Sequence, residues 1–152
     1  MREVIKEPDI LLHQQCEPVT KFKEAKKIAD ELLNLMISVP IKFGFYNRWL
    51  GFAANQIGYS KRIIAIRNRD RYEVMVNPEF IKKKFPFPYL ESCFSLKKKG
   101  YYLVKRYLWA KVKYQNLEGQ PQEIILRGPN AIYQEIDHLN GIMVSEIGFR
   151  IL

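Results

Sequence analysis

The sequence predicts an α+β fold in which an antiparallel β-sheet is set between two helices. Three observations predict it: a helical repeat near the amino end, short strand-like segments in the middle, and a Gly-Pro pair that opens a last helix. The chain has 152 residues, of which 47% are hydrophobic, enough for one domain with one apolar core. No repeat, linker or low-complexity tract divides it, so we expect a single domain over residues 1–152.

The first predicted helix runs from Thr20 to about Val39. Apolar residues recur there at intervals of three and four, with Lys and Glu on the opposite face. Thr20 is the expected N-cap, and Pro40 ends the pattern. The residues before it are expected to be extended because Pro8 and Pro18 interrupt any helix. This helix carries no candidate catalytic side chain, so we expect it to pack in the core.

The middle of the chain predicts short strands joined by irregular segments. A loop is expected over residues 40–50, around Phe43-Gly44-Phe45-Tyr46. The strand-like segments are Lys61–Arg67, Glu73–Val76, Tyr101–Arg106, Leu108–Tyr114 and Gln122–Leu126. Asn77-Pro78 is expected to end the second strand, and Pro86 and Pro88 predict irregular backbone over residues 81–90.

Two turn signals complete the outline of the fold. Asn116-Leu117-Glu118-Gly119 predicts a hairpin between the last two strands. Gly128-Pro129 is expected to open the last helix, with Pro129 in its first turn and Gly141 near its end.

The last helix carries the most informative polar side chains. In a helix Gln134 and His138 lie one turn apart on one face, with Glu135 beside them. Two histidines at this spacing, with a glutamate after the first, form the metal-binding helix of many metallohydrolases. Here position 134 is Gln, so one ligand of the usual pair is replaced. A single His on a helix is more often a packed residue than a ligand, so the helix alone is weak evidence.

Two upstream segments, Leu50–Gly58 and Glu91–Ser95, strengthen this interpretation. Together with Tyr133–Gly141, and in this order, they resemble the three signature motifs of the peptide deformylase family. The likeness runs from Pro8-Asp9 through Asn77-Pro78 to the last helix. It implies an antiparallel sheet wrapped around the central motif-bearing helix, with an N-terminal helix. It also implies a hydrolase that removes the N-formyl group from the N-terminal methionine of newly made peptides.

The resemblance assigns roles to individual residues. It implies a metal site of Cys93, His138 and, at the position of the family's first His, Gln134. The expected ion is Fe(II) in the cell, or Zn, Ni or Co after purification. The other implied roles are general acid/base for Glu135, oxyanion donors at Gln56 and the backbone near Phe94, support by Asp137, and substrate contacts at Gly51, Trp49, Glu91 and Ile132. An apolar slot sized for Met is expected near Phe94 and the start of the helix.

Three departures from the family pattern leave the function open. Gln134 offers a weaker, harder donor than imidazole. Trp49 stands at the first glycine of the opening motif, and Ser92 at the glycine before Cys93. The alternative function is therefore a catalytically inactive relative that binds formyl-Met peptides without metal. A third reading is a basic ribosome- or RNA-associated protein that reuses the fold.

Charge and cysteine content bound the partners and the compartment. The net charge of +9 indicates either a solvated lysine-rich surface or weak ribosome contact, and no DNA-binding signature accompanies it. No signal peptide or apolar run of ~18 residues is present, so no membrane span is expected. Cys16 and Cys93 lack framework spacing, which favours a reducing compartment. We expect a monomer in the cytoplasm, or in an organelle matrix if a targeting peptide was removed.

Overall fold

The computed structural model describes residues 3–40 and 49–152. Most of the predicted loop over residues 40–50, including Phe43-Gly44-Phe45-Tyr46, lies outside the described residues. The described strands are β1 (Trp49–Ala53), β2 (Ile63–Asn68), β3 (Arg71–Glu91), β4 (Tyr102–Gln115), β5 (Pro121–Arg127) and β6 (Phe149–Arg150). The described α-helices are α1 (Phe22–Ser38), α2 (Ile132–Leu139) and α3 (Val144–Ile147).

The strands form one antiparallel sheet in the order β1-β2-β3-β4-β5, and β6 pairs with the start of β4. β2 lies between the two main helices and is buried on both faces. Ile64 and Ile66 belong to the core cluster that contains α2 residues, whereas Ile63 and Ala65 belong to the cluster that contains α1 residues. This explains the unbroken apolar run in β2 and confirms the predicted α+β arrangement.

Helix α1 begins and ends close to the predicted positions. Its apolar face is buried at Ala25, Ile28, Leu32 and Met36 among other residues. The predicted N-cap was wrong, because Lys21 occupies that position and no side chain caps the helix. At the other end Arg67 of β2 donates to the carbonyls of Met36 and Val39, at 3.0 and 2.7 Å. A strand residue therefore closes this helix.

The long strand β3 corrects two predictions. It continues through Asn77-Pro78 and through residues 81–90, which were expected to be irregular. Asn77 adopts a left-handed backbone (φ 52°) at a register shift, so the strand bends there without ending. Beyond Val76 the register with β2 stops, and among the described strands β3 then pairs only with β4. Pro86 and Pro88 are tolerated because no strand within residues 3–40 and 49–152 pairs with the other edge of that part of β3.

β4 is also longer than predicted, since one strand replaces the two expected on either side of Tyr107. The hairpin to β5 is confirmed: Asn116 Oδ1 accepts from the backbone N–H of Glu118 and Gln120, and Gly119 has a φ of 79°. No helix in the described part of the chain is long and apolar enough to span a membrane.

The motif helix α2 begins three residues after Pro129, which was expected in its first turn. Asn130 delays the start because its Oδ1 accepts from the backbone N–H of Ile132. Gly141 follows the helix as predicted, with a φ of 75°. A Cβ on Gly141 would lie 2.8 Å from the backbone of His13, so the amino-terminal segment packs directly on this turn.

Candidate active site

A cleft of about 490 Å³ opens beside α2. Its apolar walls include Trp49, Leu50, Phe87, Tyr89, Phe94 and Leu108. Its polar lining includes Gln56, Glu91, Ser92, Cys93, Gln134 and Glu135. The three segments singled out in the sequence therefore meet at one cleft, which α2, β1 and the end of β3 build together.

Cys93 and His138 converge at this site. Cys93 Sγ lies 3.2 Å from His138 Nε2, although 45 residues separate them in the chain. His138 is fully buried, and its Nδ1 has no hydrogen-bond partner among the described residues. Asn55 Nδ2 donates to the His138 carbonyl at 2.6 Å, which holds this end of α2 against the turn after β1. The sulfur and the imidazole nitrogen thus face a common point.

Glu135 lies beside this pair against β1. Its side chain is 2% exposed, and Oε1 has no hydrogen-bond partner among the described residues. A Cβ on Gly51 would lie 2.6 Å from Glu135 Cγ, so only glycine at that position lets the carboxyl group approach the strand this closely. Burial, and then the charge of Glu91, raise the pKa of Glu135 well above its ordinary value. The Glu135 carboxylate is therefore a stronger base than a solvent-exposed one.

Gln56 presents its amide nitrogen to the cysteine. Its Oε1 accepts from the Ala53 N–H at 2.9 Å, which fixes the amide. Its Nε2 donates to Ser95 Oγ at 3.0 Å and lies 3.7 Å from Cys93 Sγ. Phe94 lines the cleft with a half-exposed ring that packs on Phe52 at a centroid distance of 5.4 Å. The Gln56 amide therefore presents a fixed donor to the cysteine, and the Phe94 ring forms an apolar wall of the cleft.

Gln134 lines the cleft, and its amide nitrogen donates two hydrogen bonds. Nε2 donates to Glu91 Oε1 at 3.2 Å and to the Ser92 carbonyl at 3.0 Å. Ser92 is itself tied to the following loop, because its Oγ donates to the Gly100 carbonyl at 2.7 Å. Two of the three departures noted in the sequence are thus in direct contact.

Sequence reasoning missed Arg106, which organises the charges behind the cleft. It is 5% exposed and donates to both oxygens of Glu91, at 2.7 and 2.8 Å, and to Asp137. Its guanidinium also lies over the Tyr133 ring, 5.8 Å from the centroid. The alternation of Tyr102, Val104 and Arg106 on a strand places this arginine on the buried face, and that alternation was the signal available in the sequence.

Four residues were expected to contact substrate, and three of them line the cleft: Trp49, Gly51 and Glu91. Ile132 was expected at the cleft, and that expectation was wrong. Ile132 has no exposed surface and packs in the core, because α2 turns that face toward the sheet. The neighbouring residues Pro129, Asn130 and Ala131 form that part of the wall instead.

Comparison with known proteins agrees with this geometry. A family model described as Polypeptide deformylase matches residues 1–147. The chain belongs to this family. It is 31% identical over 145 residues to a peptide deformylase of Desulfotalea psychrophila, covering 90% of this chain and 80% of the relative. It is 32% identical over 154 residues to one of Acidobacterium capsulatum, covering 94% and 84%.

Solved structures show the same fold. The peptide deformylase of Thermotoga maritima superposes with a TM-score of 0.84 at 28% identity, covering 97% of both chains. The enzyme of Synechococcus elongatus, solved in complex with actinonin, gives 0.80 at 26% identity and covers 93% of this chain and 75% of that one. The deformylase fold predicted from the motifs is therefore confirmed.

Peptide deformylases are metalloenzymes, and the residues present fit an ion in part. No group of three His, Cys, Asp or Glu suited to a metal occurs in residues 3–40 and 49–152, and position 134 carries a Gln. The convergent sulfur and imidazole nitrogen and the unpartnered Glu135 Oε1 are nevertheless the groups that a nearby cation would satisfy. Cys93 and His138 thus fit as ligands, and Gln134 offers a neutral oxygen.

Burial sets the protonation of these ligands when no ion is bound. Burial, followed by the charge of Glu135, raises the pKa of the Cys93 thiol to about 12. Burial, followed by the charge of Arg106, lowers the pKa of His138 to about 4. At neutral pH the ion-free site therefore holds a thiol and a neutral imidazole, and binding an ion through sulfur releases a proton.

Proposed function

We propose that this chain is a metal-dependent hydrolase that removes the formyl group from the N-terminal formyl-methionine of newly made peptides. The observation that carries the proposal is the approach of Cys93 Sγ and His138 Nε2 to 3.2 Å at the polar side of an apolar cleft. Membership of the deformylase family supports the same reaction and the same class of substrate.

Cys93 and His138 would hold one divalent transition ion, with Gln134 as the third ligand. Fe(II) is the ion proposed for the cell, and Zn, Ni or Co for purified protein. When bound, the ion supplies Lewis acidity toward the formyl group and an activated water.

Glu135 is proposed as the group that moves the proton. It would accept a proton from the attacking water and deliver it to the amine nitrogen as the formyl C–N bond breaks, releasing formate and a free amino terminus. Its raised pKa supports this role, since one carboxyl group must both take and give the proton near neutral pH. Contact with Gly51 limits the positions available to its side chain.

Gln56 is proposed as a donor to the formyl oxygen. Its Nε2 already faces Cys93, and its Oε1 is fixed by the Ala53 N–H, so the amide is oriented before substrate arrives. The backbone N–H of Phe94 is proposed as the second donor. The apolar walls at Phe87, Tyr89 and Leu108 suit a methionine side chain.

The test is formate release from formyl-Met-Ala-Ser by protein reconstituted anaerobically with Fe(II). Glu135→Gln keeps the shape of the side chain and removes the proton shuttle, so kcat should fall about 10²–10⁴-fold. Glu24→Gln, at an exposed position of α1, is the matched control and should leave kcat unchanged.

Equal rates in wild type and Glu135→Gln would refute the assigned role. A wild-type protein that binds the peptide but releases no formate, with or without added metal, would instead support the inactive peptide-binding alternative. Calorimetric titration with the same peptide separates that outcome from a failure to bind.

A further inference from the structure

Gln134 does not lie in the cleft as a freely rotating amide. Both protons of its Nε2 are used, one toward Glu91 Oε1 at 3.2 Å and one toward the Ser92 carbonyl at 3.0 Å. A side-chain amide carries one oxygen and one nitrogen on the same carbon. The two bonds therefore leave the carbonyl oxygen as the atom of Gln134 that can bind an ion.

The two acceptors cannot easily turn to receive the other end of the amide. Both oxygens of Glu91 accept from Arg106, which is 5% exposed and also pairs with Asp137. The second acceptor is a backbone carbonyl. If the amide flipped, its oxygen would face a carboxylate and a carbonyl, with no proton between them. The orientation of Gln134 is thus imposed by the buried ion pairs behind it.

Gln134 can perform one of the two functions that a metal-binding histidine would have at this position. A metal-binding imidazole ligates through one nitrogen and donates its other N–H to a neighbouring carboxylate or carbonyl. Gln134 retains the donation to Glu91 and replaces the ligating nitrogen by an oxygen. The residue lies one helical turn before His138, so both side chains leave the same face of α2.

We propose that Gln134, whose amide nitrogen is bound to Glu91 and Ser92 so that its oxygen is left as the donor, sets the metal preference of the site, an inference that rests on the proposed function. Imidazole nitrogen favours Ni and Zn, whereas a carbonyl oxygen is a donor that suits Mn. Exchanging the nitrogen for oxygen lowers the affinity for Ni(II) and Zn(II) more than that for Mn(II). The site therefore discriminates less among divalent ions than one with two imidazoles does.

The first test measures Kd for Ni(II), Zn(II) and Mn(II) by competition with a chromophoric chelator, without any assay of activity. Gln134→His should tighten Ni(II) and Zn(II) binding about 10–100-fold and change Mn(II) binding much less. Gln134→Leu, which lacks both the oxygen and the donor, should bind all three ions more weakly than wild type. Gln122→His, at an exposed position of β5, controls for the addition of an imidazole and should leave all three Kd values unchanged.

The second test observes the amide itself by NMR. On addition of Zn(II), the ¹³Cδ resonance of Gln134 should shift, while its two Nε2 protons stay protected from exchange because they remain bonded to Glu91 and Ser92. An unshifted ¹³Cδ, or Nε2 protons that lose protection, would overturn the inference. The NMR measurement uses the wild-type protein, so its result does not depend on whether the Gln134→Leu variant folds.

The outcomes separate this inference from the proposed function. If Gln134→Leu binds each ion as tightly as wild type, the oxygen is not a ligand and the inference fails, while hydrolysis through Cys93 and His138 stands. A Gln134→His variant that tightens Mn(II) as much as Ni(II) also overturns it. Absence of metal binding by wild type would defeat both proposals together.

Discussion

Helices α1 and α2 lie against opposite faces of β2, and they are stabilised in different ways. The 17-residue α1 buries apolar side chains such as Ile28 and Leu32. The eight-residue α2 buries Glu135 and His138 alongside its apolar residues. An arginine binds the carboxyl end of each: Arg67 donates to the end of α1, and Arg62 donates to the Leu139 carbonyl at 3.0 Å. The two helices share a scaffold but bury different chemistry.

The polar site on α2 lowers the free energy that this helix can contribute to folding. Burying apolar area stabilises α1 directly, at about 25 cal/mol per Å². Burying an ionisable group opposes folding unless partners compensate for the lost hydration. Glu135 Oε1 and His138 Nδ1 have no such partner among the described residues, and the polar contacts that hold α2 are made by Arg106, which pairs with Asp137, and by Asn55, which donates to the His138 carbonyl. We therefore expect α2, and not α1, to depend on a few polar contacts.

Arg106→Met is the change with the largest expected effect on this comparison. It leaves the partly buried carboxylates of Glu91 and Asp137 without their buried cation, and removing one partner of a buried ion pair costs up to about 3–5 kcal/mol. Urea denaturation should show this loss, and chelator competition should show weaker Zn(II) binding because Gln134 loses its fixed acceptor Glu91.

The matched control on the other helix is Leu32→Ala. It creates a cavity under α1, should cost about 2–5 kcal/mol, and should leave Zn(II) affinity unchanged. An Arg106→Met variant as stable as wild type would contradict the dependence of α2 on polar contacts. A Leu32→Ala variant that loses as much Zn(II) affinity as Arg106→Met would contradict it as well.

The sequence predicted α1 and the hairpin well because their signals are local. Three- and four-residue spacing identifies the apolar face of α1, and Asn116 to Gly119 carry their own turn geometry. The prolines of β3 misled the prediction for a physical reason. Pro86 and Pro88 would be excluded from a strand paired on both edges, but they are compatible with a strand paired on one edge. Which of the two β3 is depends on residues far away in the sequence, so the local pattern could not show it.

The motifs predicted which residues meet at the cleft, because each motif position corresponds to one residue of the chain. Cys93 and His138 meet as expected, and Trp49, Gly51 and Glu91 line the cleft. Arg106 could not be found from motifs, because its importance comes from burial next to two carboxylates distant in sequence. The outcome for Ile132 shows the converse. Its place at the start of the motif helix, where an apolar slot was expected, suggested contact with the cleft, but the rotation of α2 turns that side chain into the core.

Acid should destabilise the metal-free protein through α2. Burial lowers the pKa of His138 to about 4, against an ordinary value of about 6.5. A folded-state pKa below the unfolded one contributes stability that is present above about pH 6.5 and is lost as the pH falls toward 4. The shift corresponds to stability on the order of 3 kcal/mol. Urea denaturation at several pH values from 7 to 4 measures it.

His138→Gln provides the control for this titration. Without an imidazole, the loss of stability between pH 6.5 and 4 should shrink by about the amount that His138 contributes. Glu135 acts in the opposite sense, because its raised pKa contributes stability that is present below about pH 4.3 and is lost as the pH rises through the folded value. An acid transition of equal size in wild type and His138→Gln would count against the assignment to α2.

The two arginine caps give the smallest expected effects and the closest comparison of the helices. Arg67→Met removes a buried donor from two carbonyls at the end of α1 and should cost about 2 kcal/mol. Arg62→Met removes a half-buried donor from Leu139 and should cost about 1 kcal/mol. Because Leu139 follows His138, only Arg62→Met should also weaken Zn(II) binding. If Arg67→Met weakened Zn(II) binding more than Arg62→Met did, the end of α1 would affect the metal site more than the end of α2 does. The conclusion that α1 contributes only packing, whereas α2 positions the metal ligands, would then be wrong.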